Sequence, residues 1–124
     1  LRQFADLCRS SAPADQARRV REARALIRAG QSPAMIEVMI AASAFESAAL
    51  TLIGNEAAWL ISKSAEGSCL ASVVLPGMSE EATCEGATPA LALLGAWAVG
   101  ALALCGQSHV NPARPLRPEG ALLN

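Results

Sequence analysis

Few side chains in this sequence have the types and the spacing that catalysis requires. Cys105 and His109 are a conceivable nucleophile and base, but no third group is placed to orient the imidazole. Glu80 and Glu81 are adjacent, and neighbouring residues of a strand point to opposite faces, so these carboxylates do not form an acid/base couple. The sequence also lacks a phosphate-binding glycine loop, G-x-S-x-G, H-E-x-x-H and a dinucleotide fingerprint. We therefore predict a protein that is not an enzyme and has no cofactor.

The cysteines do not have the spacing of a metal site. Tetrahedral zinc sites use closely spaced ligand pairs, whereas this chain has no C-x-x-C and a single histidine. Reduced cysteine behaves as a small hydrophobic residue. We predict no metal site and four reduced, buried or half-buried thiols in a cytoplasmic protein: Cys8, Cys69, Cys84 and Cys105.

Positive charge is concentrated at the start of the chain. Residues 1–30 contain seven arginines, whereas residues 31–110 contain one lysine and seven glutamates. A helix is predicted from Gln16 to Ala29, capped by Asp15 and ended by Gly30. One face of this helix carries four arginines: Arg18, Arg21, Arg24 and Arg28. This face is either a binding surface for an anion or an acidic partner, or an ordinary solvated face.

A second helix is predicted from Ala34 to about Ile53, begun by Ser32 and Pro33. Two helices joined by a glycine-containing turn resemble a helix-turn-helix nucleic-acid binder. The second helix, however, contains no lysine or arginine, and cationic contacts supply most of the affinity for a phosphate-lined groove. Nucleic-acid binding is therefore a minor alternative.

Glu46 is the unusual residue of this second helix. On an unbroken helix it would project among apolar residues such as Met39 and Leu50, as a buried acid or an oligomer contact. The alternatives are that the helix bends near Ser43, or that Glu46 pairs with an arginine of the preceding helix.

After Gly54 the hydrophobic period becomes alternating, which is typical of strands. The three-residue loop 65–67, with glycine last, predicts a β-hairpin. Its register sets Trp59 opposite Val73 and Ile61 opposite Ala71, and we expect these four residues to form a core face. A third strand is predicted from Glu80 to Glu85, with Ala82 and Cys84 facing the same core.

The run from Thr88 to Gly106 has no charged residue and is predicted to be a helix. Thr88 is a good N-cap, Pro89 suits the first helical position, and Gly106 supplies a stop. A helix that is apolar all round is buried in protein or in lipid. We expect α+β architecture, an αβββα two-layer sandwich in which both long helices cover the sheet. The alternative is a single-pass inner-membrane protein spanning about residues 88–106, with Arg114 and Arg117 holding the tail inside.

The block AAWLISKSAEGSCLASVVLPG, followed by EEATCEGATPALALLGAW, resembles the small phage and prophage proteins that have an ABA-sandwich domain. The resemblance covers about residues 57–105 and implies a sandwich fold of phage origin. The αβββα order is also similar to that of the double-stranded-RNA-binding domain, but the final helix lacks the lysine-rich start which that domain uses on phosphates. The high Arg-to-Lys ratio and frequent alanine are typical of a bacterial protein.

Three segments are predicted: a basic helical segment at 1–30, the αβββα domain at 31–107 and a Pro-rich flexible tail at 108–124. The tail contains PARPLR, which either is a P-x-x-P-x-R ligand for a polyproline-binding domain or has no such role. Two helices with a surplus of apolar surface favour protein contact and self-association. The predicted function is therefore that of a small, cytoplasmic, non-enzymatic protein-interaction or accessory domain.

Overall fold

The computed structural model describes residues 1–27 and 32–110, the last four of them by their backbone alone. A 3-10 turn at Pro13–Asp15 separates the first two helices. The five helices and three strands of the described residues are, in chain order, α1 (Arg2–Ser10), α2 (Gln16–Leu26), α3 (Pro33–Ala41), α4 (Phe45–Ile53), β1 (Ala58–Lys63), β2 (Cys69–Val74), β3 (Ala82–Gly86) and α5 (Pro89–Val110). This arrangement confirms the predicted α+β class and the order of helices, antiparallel meander and final helix.

The long second helix predicted for residues 34–53 is wrong, because the chain forms two helices there. Ser43 has a φ of 58°, a left-handed conformation that a continuous α-helix does not contain. The bend near Ser43 was one of the alternatives considered for Glu46. Because α4 restarts at Phe45, Glu46 lies in the first turn of a new helix.

The β-hairpin has the predicted register. Trp59 pairs with Val73 and Ile61 pairs with Ala71 in an antiparallel ladder. The Ser64 N–H donates to the Ser68 carbonyl at 2.8 Å and the Gly67 N–H donates to the Ser64 carbonyl at 3.1 Å, so the loop closes at the predicted residues. Gly67 has a φ of +97°, which explains why glycine occupies the last loop position.

Helix α5 begins as predicted and ends later than predicted. The Leu91 N–H donates to Thr88 Oγ1 at 3.2 Å, which is the expected N-cap bond. The helix passes through Gly106 and continues to Val110, so Gly106 is not its stop. One glycine costs a helix only ~1 kcal/mol relative to alanine, which is too little to end it by itself. Residues 111–124, and with them the predicted PARPLR ligand, lie outside the described residues.

Helix α5 lies at the centre of the fold. It packs against β2 and β3 on one side and against α1 and α4 on the others. Its N-terminal part, from Ala90 to Ala96, is buried. The close approach of α5 to β3 depends on Gly86, where an added Cβ would lie 2.6 Å from the backbone nitrogen of Ala92.

The prediction that both long helices cover the sheet is wrong. Helix α4 packs on α5, and α5 covers β2 and β3 but not β1. Ala71 and Val73 of β2 are therefore buried as predicted, whereas Trp59 of β1 remains 47% exposed. The expected core face is therefore complete on β2 and β3, whereas on β1 Ile61 is half-buried against the core and Trp59 lies beyond the helices.

Candidate interaction surface

Three large apolar side chains of the hairpin are exposed around the free edge of the sheet. They are Trp59 at 47%, Leu60 at 69% and Leu70 at 42% exposure, and we call them the hairpin patch. Trp59 is in register with the buried Val73 and so points to the helix side of the sheet, whereas Leu60 and Leu70 point to the opposite side. The patch therefore continues around β1 from one sheet face to the other.

The main chain of β1 is also available for pairing. β1 is the first strand of the order β1-β2-β3, and among the described residues no other strand pairs with its outer edge. The Ser64 N–H faces β2, where it donates to Ser68. Because antiparallel strands alternate, the N–H and C=O groups of Trp59, Ile61 and Lys63 point away from β2, toward the free edge. This edge presents both apolar side chains and main-chain hydrogen-bonding groups.

Charged groups occur only at the two ends of this edge. Glu56 precedes β1 and Lys63 ends it, and both are exposed. The ion pairs found within the described ranges join Arg9 to Asp6, Arg19 to Glu22 and Arg21 to Glu37, so neither Glu56 nor Lys63 belongs to one of them. The edge thus has one cation at one end, one anion at the other and apolar residues between them.

The arginine face predicted on α2 is already partly occupied by the chain itself. Arg21 forms a bidentate ion pair with Glu37 of α3, in which Nε and Nη2 each lie 2.9 Å from a carboxylate oxygen. This hydrogen-bonded pair lowers the pKa of the Glu37 carboxyl and raises the pKa of Arg21. Arg18 is exposed, Arg24 is half-buried and Arg28 lies outside the described residues. The role of this face as an anion or partner surface stays a prediction.

Sequence reasoning missed Arg19, which lies beside the predicted arginine face. Its side chain is buried and pairs with Glu22 one helical turn later. The Nε atoms of Arg19 and Arg24 are buried without a hydrogen-bond partner in the part of the chain that the structure describes. Helix periodicity places Arg19 on the border of the apolar face, and this border position was the only available signal.

The interpretation of Glu46 as a buried acid is wrong. Its side chain is exposed, because the break at Ser43 turns α4 away from the direction of α3. Its position in the first turn of α4 is favourable, since a carboxylate there interacts with the positive end of the helix dipole.

The cysteines are reduced, and three of the four are buried. Cys105 is exposed, which corrects the prediction that all four would be at least half-buried. Cys8 and Cys84 both approach Gly95 on the same face of α5, since a Cβ added there would lie 3.2 Å from Cys84 Cβ and 3.3 Å from Cys8 Cβ. Burial raises the pKa of Cys8 to about 12, and burial also raises the pKa of Cys84. Both thiols are therefore protonated and poorly nucleophilic near neutral pH.

The main cavities of the described residues are not lined by Cys8 or Cys84. The cavity between α5 and the start of β3 has a volume of about 270 Å³ and is lined by residues that include Glu80 and Glu81. Within residues 1–27 and 32–110, no group of three or more histidine, cysteine, aspartate or glutamate side chains could hold a metal ion. The side chain of His109 lies outside the described part, so its predicted proximity to Cys105 has no structural test.

One helix of the described residues is long and apolar enough to cross a membrane. The segment is Pro89–Gly106, with a mean hydropathy of 1.8, and half of it is buried inside the fold. The core helix of a soluble protein meets the same criteria of length and composition.

Comparison of the chain with protein-family models, with curated proteins and with solved structures found no match. The resemblance of residues 57–105 to phage ABA-sandwich proteins therefore stays a prediction. Function has to be argued from the residues of this chain.

Proposed function

We propose that this protein is a non-enzymatic protein-interaction domain that binds its partner through the hairpin patch and the free edge of β1. The observation that carries the proposal is the exposure of Leu60, 69% of whose surface is open to solvent in the middle of an edge strand. A partner that adds a strand here would gain main-chain hydrogen bonds and bury apolar side chains at the same time.

The composition of β1 supports this use of the edge. Edge strands that must not associate are usually blunted by a proline, a bulge or inward-pointing charges. β1 contains no proline and no bulge, since its six residues pair regularly with β2, and its only charged residue, Lys63, is its last, so the stretch from Ala58 to Ser62 is not blunted. An unblunted edge with exposed Trp59 and Leu60 is a ready template for strand addition.

Two further observations support protein contact over catalysis or nucleic-acid binding. The buried thiols have raised pKa values, which makes them poor nucleophiles. Arg21, a central member of the basic face, is neutralised by Glu37 and is less available to a phosphate.

The packing of α5 supports a cytoplasmic rather than a membrane location. Its N-terminal half is covered by β2, β3 and α1, so insertion into lipid would require that the sheet leave it. Carbonate extraction of the cells that produce the protein tests this point. We expect the protein in the soluble fraction, and retention in the extracted membranes would favour the single-pass alternative.

Site-specific photo-crosslinking tests the proposed surface. A benzophenone amino acid replaces Leu60 in one variant and Ser47, an exposed residue of α4, in a control variant. We expect ultraviolet light to give one discrete protein adduct from position 60, in the producing cells or with the purified protein, and none from position 47. No adduct from position 60, or the same adduct from both positions, would overturn the proposal.

A further inference from the structure

We propose that the partner on β1 is a second copy of this chain, paired antiparallel across a two-fold axis at Leu60. The two three-stranded sheets would then form one continuous sheet, with the helices of both copies on the same face. This inference rests on the proposed function, because it names the partner of the same surface. It is carried by three features of the edge: its main-chain directions, its side-chain order and its charges.

The main-chain directions suit this register. Trp59 and Ile61 direct their N–H and C=O groups to the free edge, as the hydrogen bond from Ser64 to Ser68 establishes. With the axis at Leu60, Trp59 of each copy lies opposite Ile61 of the other. Residues that face each other in this way exchange two hydrogen bonds, so the axis is flanked by a bonded pair on each side.

The side-chain order also matches. Leu60 would meet Leu60 of the second copy on the outer face, in a non-hydrogen-bonded pair where side chains are closest. On the helix side, Trp59 would pack against Ile61 of the second copy. Trp59 is 47% exposed there, and Ile61 is half-buried against the core with part of its side chain still accessible. Each exposed apolar side chain of β1 therefore gains an apolar neighbour.

Charge and apolar pairing together select this register over its two neighbours. With the axis at Leu60, Lys63 lies opposite Ala57 and beside Glu56 of the second copy, which places an ion pair at each end of the interface. With the axis at Ile61, Trp59 would face Lys63, and Glu56 would approach Glu66 of the other copy. Like charges that face each other across strands are destabilising. The axis at Trp59 would also bring Lys63 beside Glu56, but it would set Leu60 opposite Ala58 instead of Leu60, so the register centred on Leu60 is the one that satisfies both the charges and the exposed leucine.

The size of the contact sets the expected affinity. A strand of six residues is about 20 Å long, so this interface belongs to the small end of specific protein interfaces. We expect a dissociation constant on the order of micromolar. Association should therefore be measured over a concentration range that extends to several hundred micromolar.

Disulfide trapping tests the register directly. The exposed Cys105 is first replaced by serine, and Leu60→Cys or Ser62→Cys is introduced in that background. Only residue 60 faces its own copy across the axis, at a Cβ separation compatible with a disulfide. Mild oxidation, which removes two electrons and two protons from each pair of thiols, should give a covalent dimer from L60C and little from the S62C control. Equal trapping of both variants, or none from L60C, would overturn the register.

Charge reversal gives an independent test that leaves the apolar residues unchanged. Lys63→Glu should weaken dimerisation by about tenfold, because it replaces two attractive contacts by two repulsive ones. The double variant Lys63→Glu/Glu56→Lys restores opposite charges and should restore the affinity. Failure of the double variant to recover would contradict the proposed ion pairs.

The two proposals can fail separately. A wild-type protein that stays monomeric at several hundred micromolar, yet gives an adduct with a different protein from the benzophenone at position 60, would overturn the dimer and support the proposed surface. A monomeric protein without any adduct would overturn both.

Discussion

At the scale of single residues, the buried thiols show how packing sets chemistry. Cys8 is completely buried, and desolvation raises its pKa from 9.0 to about 12. Cys84 is buried against the same glycine, Gly95, and desolvation raises its pKa more than the neighbouring Arg9 lowers it. A thiolate at either position would lose its hydration without gaining a partner that compensates for the loss. The cysteines therefore contribute as hydrophobic side chains.

This burial predicts a loss of stability at alkaline pH. Below pH 9 the Cys8 thiol is protonated in both the folded and the unfolded chain and has no effect on the pH dependence. Between about pH 9 and 12 the unfolded chain releases the proton while the folded chain keeps it, so the free energy of unfolding falls with rising pH. The expected slope is up to ~1.4 kcal/mol per pH unit for each such thiol.

Urea denaturation between pH 8 and 11 measures this slope. Tyrosine and lysine side chains, which titrate in the same range, interfere little because the sequence has no tyrosine and one lysine. Cys8→Ala should make the decline shallower, and Cys105→Ala, which removes an exposed thiol, is the matched control for the loss of a cysteine. An identical slope in wild type and Cys8→Ala would contradict the account of Cys8.

At the scale of elements, the contact between β3 and α5 depends on the absence of a side chain at Gly86. A Cβ added there would lie 2.6 Å from Ala92 N and 3.0 Å from Leu91 C, both backbone atoms that cannot move aside without shifting the helix. Gly86→Ala should therefore lower the free energy of unfolding by about 1–3 kcal/mol, as overpacking in a core does.

Gly106, on the helix that Gly86 packs against, provides the control. A Cβ added there meets no atom within 4 Å among the described residues, so Gly106→Ala should raise stability by roughly 0.5–1 kcal/mol through helix propensity. Thermal or urea unfolding compares the two variants. A Gly86→Ala protein as stable as wild type would show that the strand and the helix are not in close contact.

The sequence allowed correct prediction of the features that local chemistry decides. The hairpin register follows from a three-residue loop that ends in Gly67, and the start of α5 follows from the Thr88 cap followed by proline. The inward positions of β3, Ala82 and Cys84, follow from strict alternation, and both are buried.

Features that depend on which elements meet were not predictable in the same way. Alternation assigned Trp59 to the helix side of the sheet, but it could not show that α5 stops short of β1. The break at Ser43 lies between two alanines, Ala42 and Ala44, whose intrinsic propensity favours helix and so hides the interruption. The candidate interaction surface exists because α5 stops short of β1. The sequence therefore indicated self-association but not its location.

At the scale of the whole molecule, the central helix and the projecting strand have different roles. Helix α5 packs against the sheet on one side and against α1 and α4 on the others, which accounts for an apolar run without charged residues. The hairpin patch remains outside this core. We interpret the fold as a packed support that holds one apolar strand edge open to a partner.

Sedimentation equilibrium of the wild-type chain and of Leu60→Glu, without detergent and from 1 to several hundred micromolar, tests this account most directly. The substitution should leave the far-ultraviolet circular dichroism unchanged, because Leu60 is 69% exposed, and it should set like charges opposite each other at the axis. We predict a concentration-dependent dimer for the wild type and a monomer for Leu60→Glu. A wild type that is monomeric throughout, or a variant that dimerises equally well, would contradict the account.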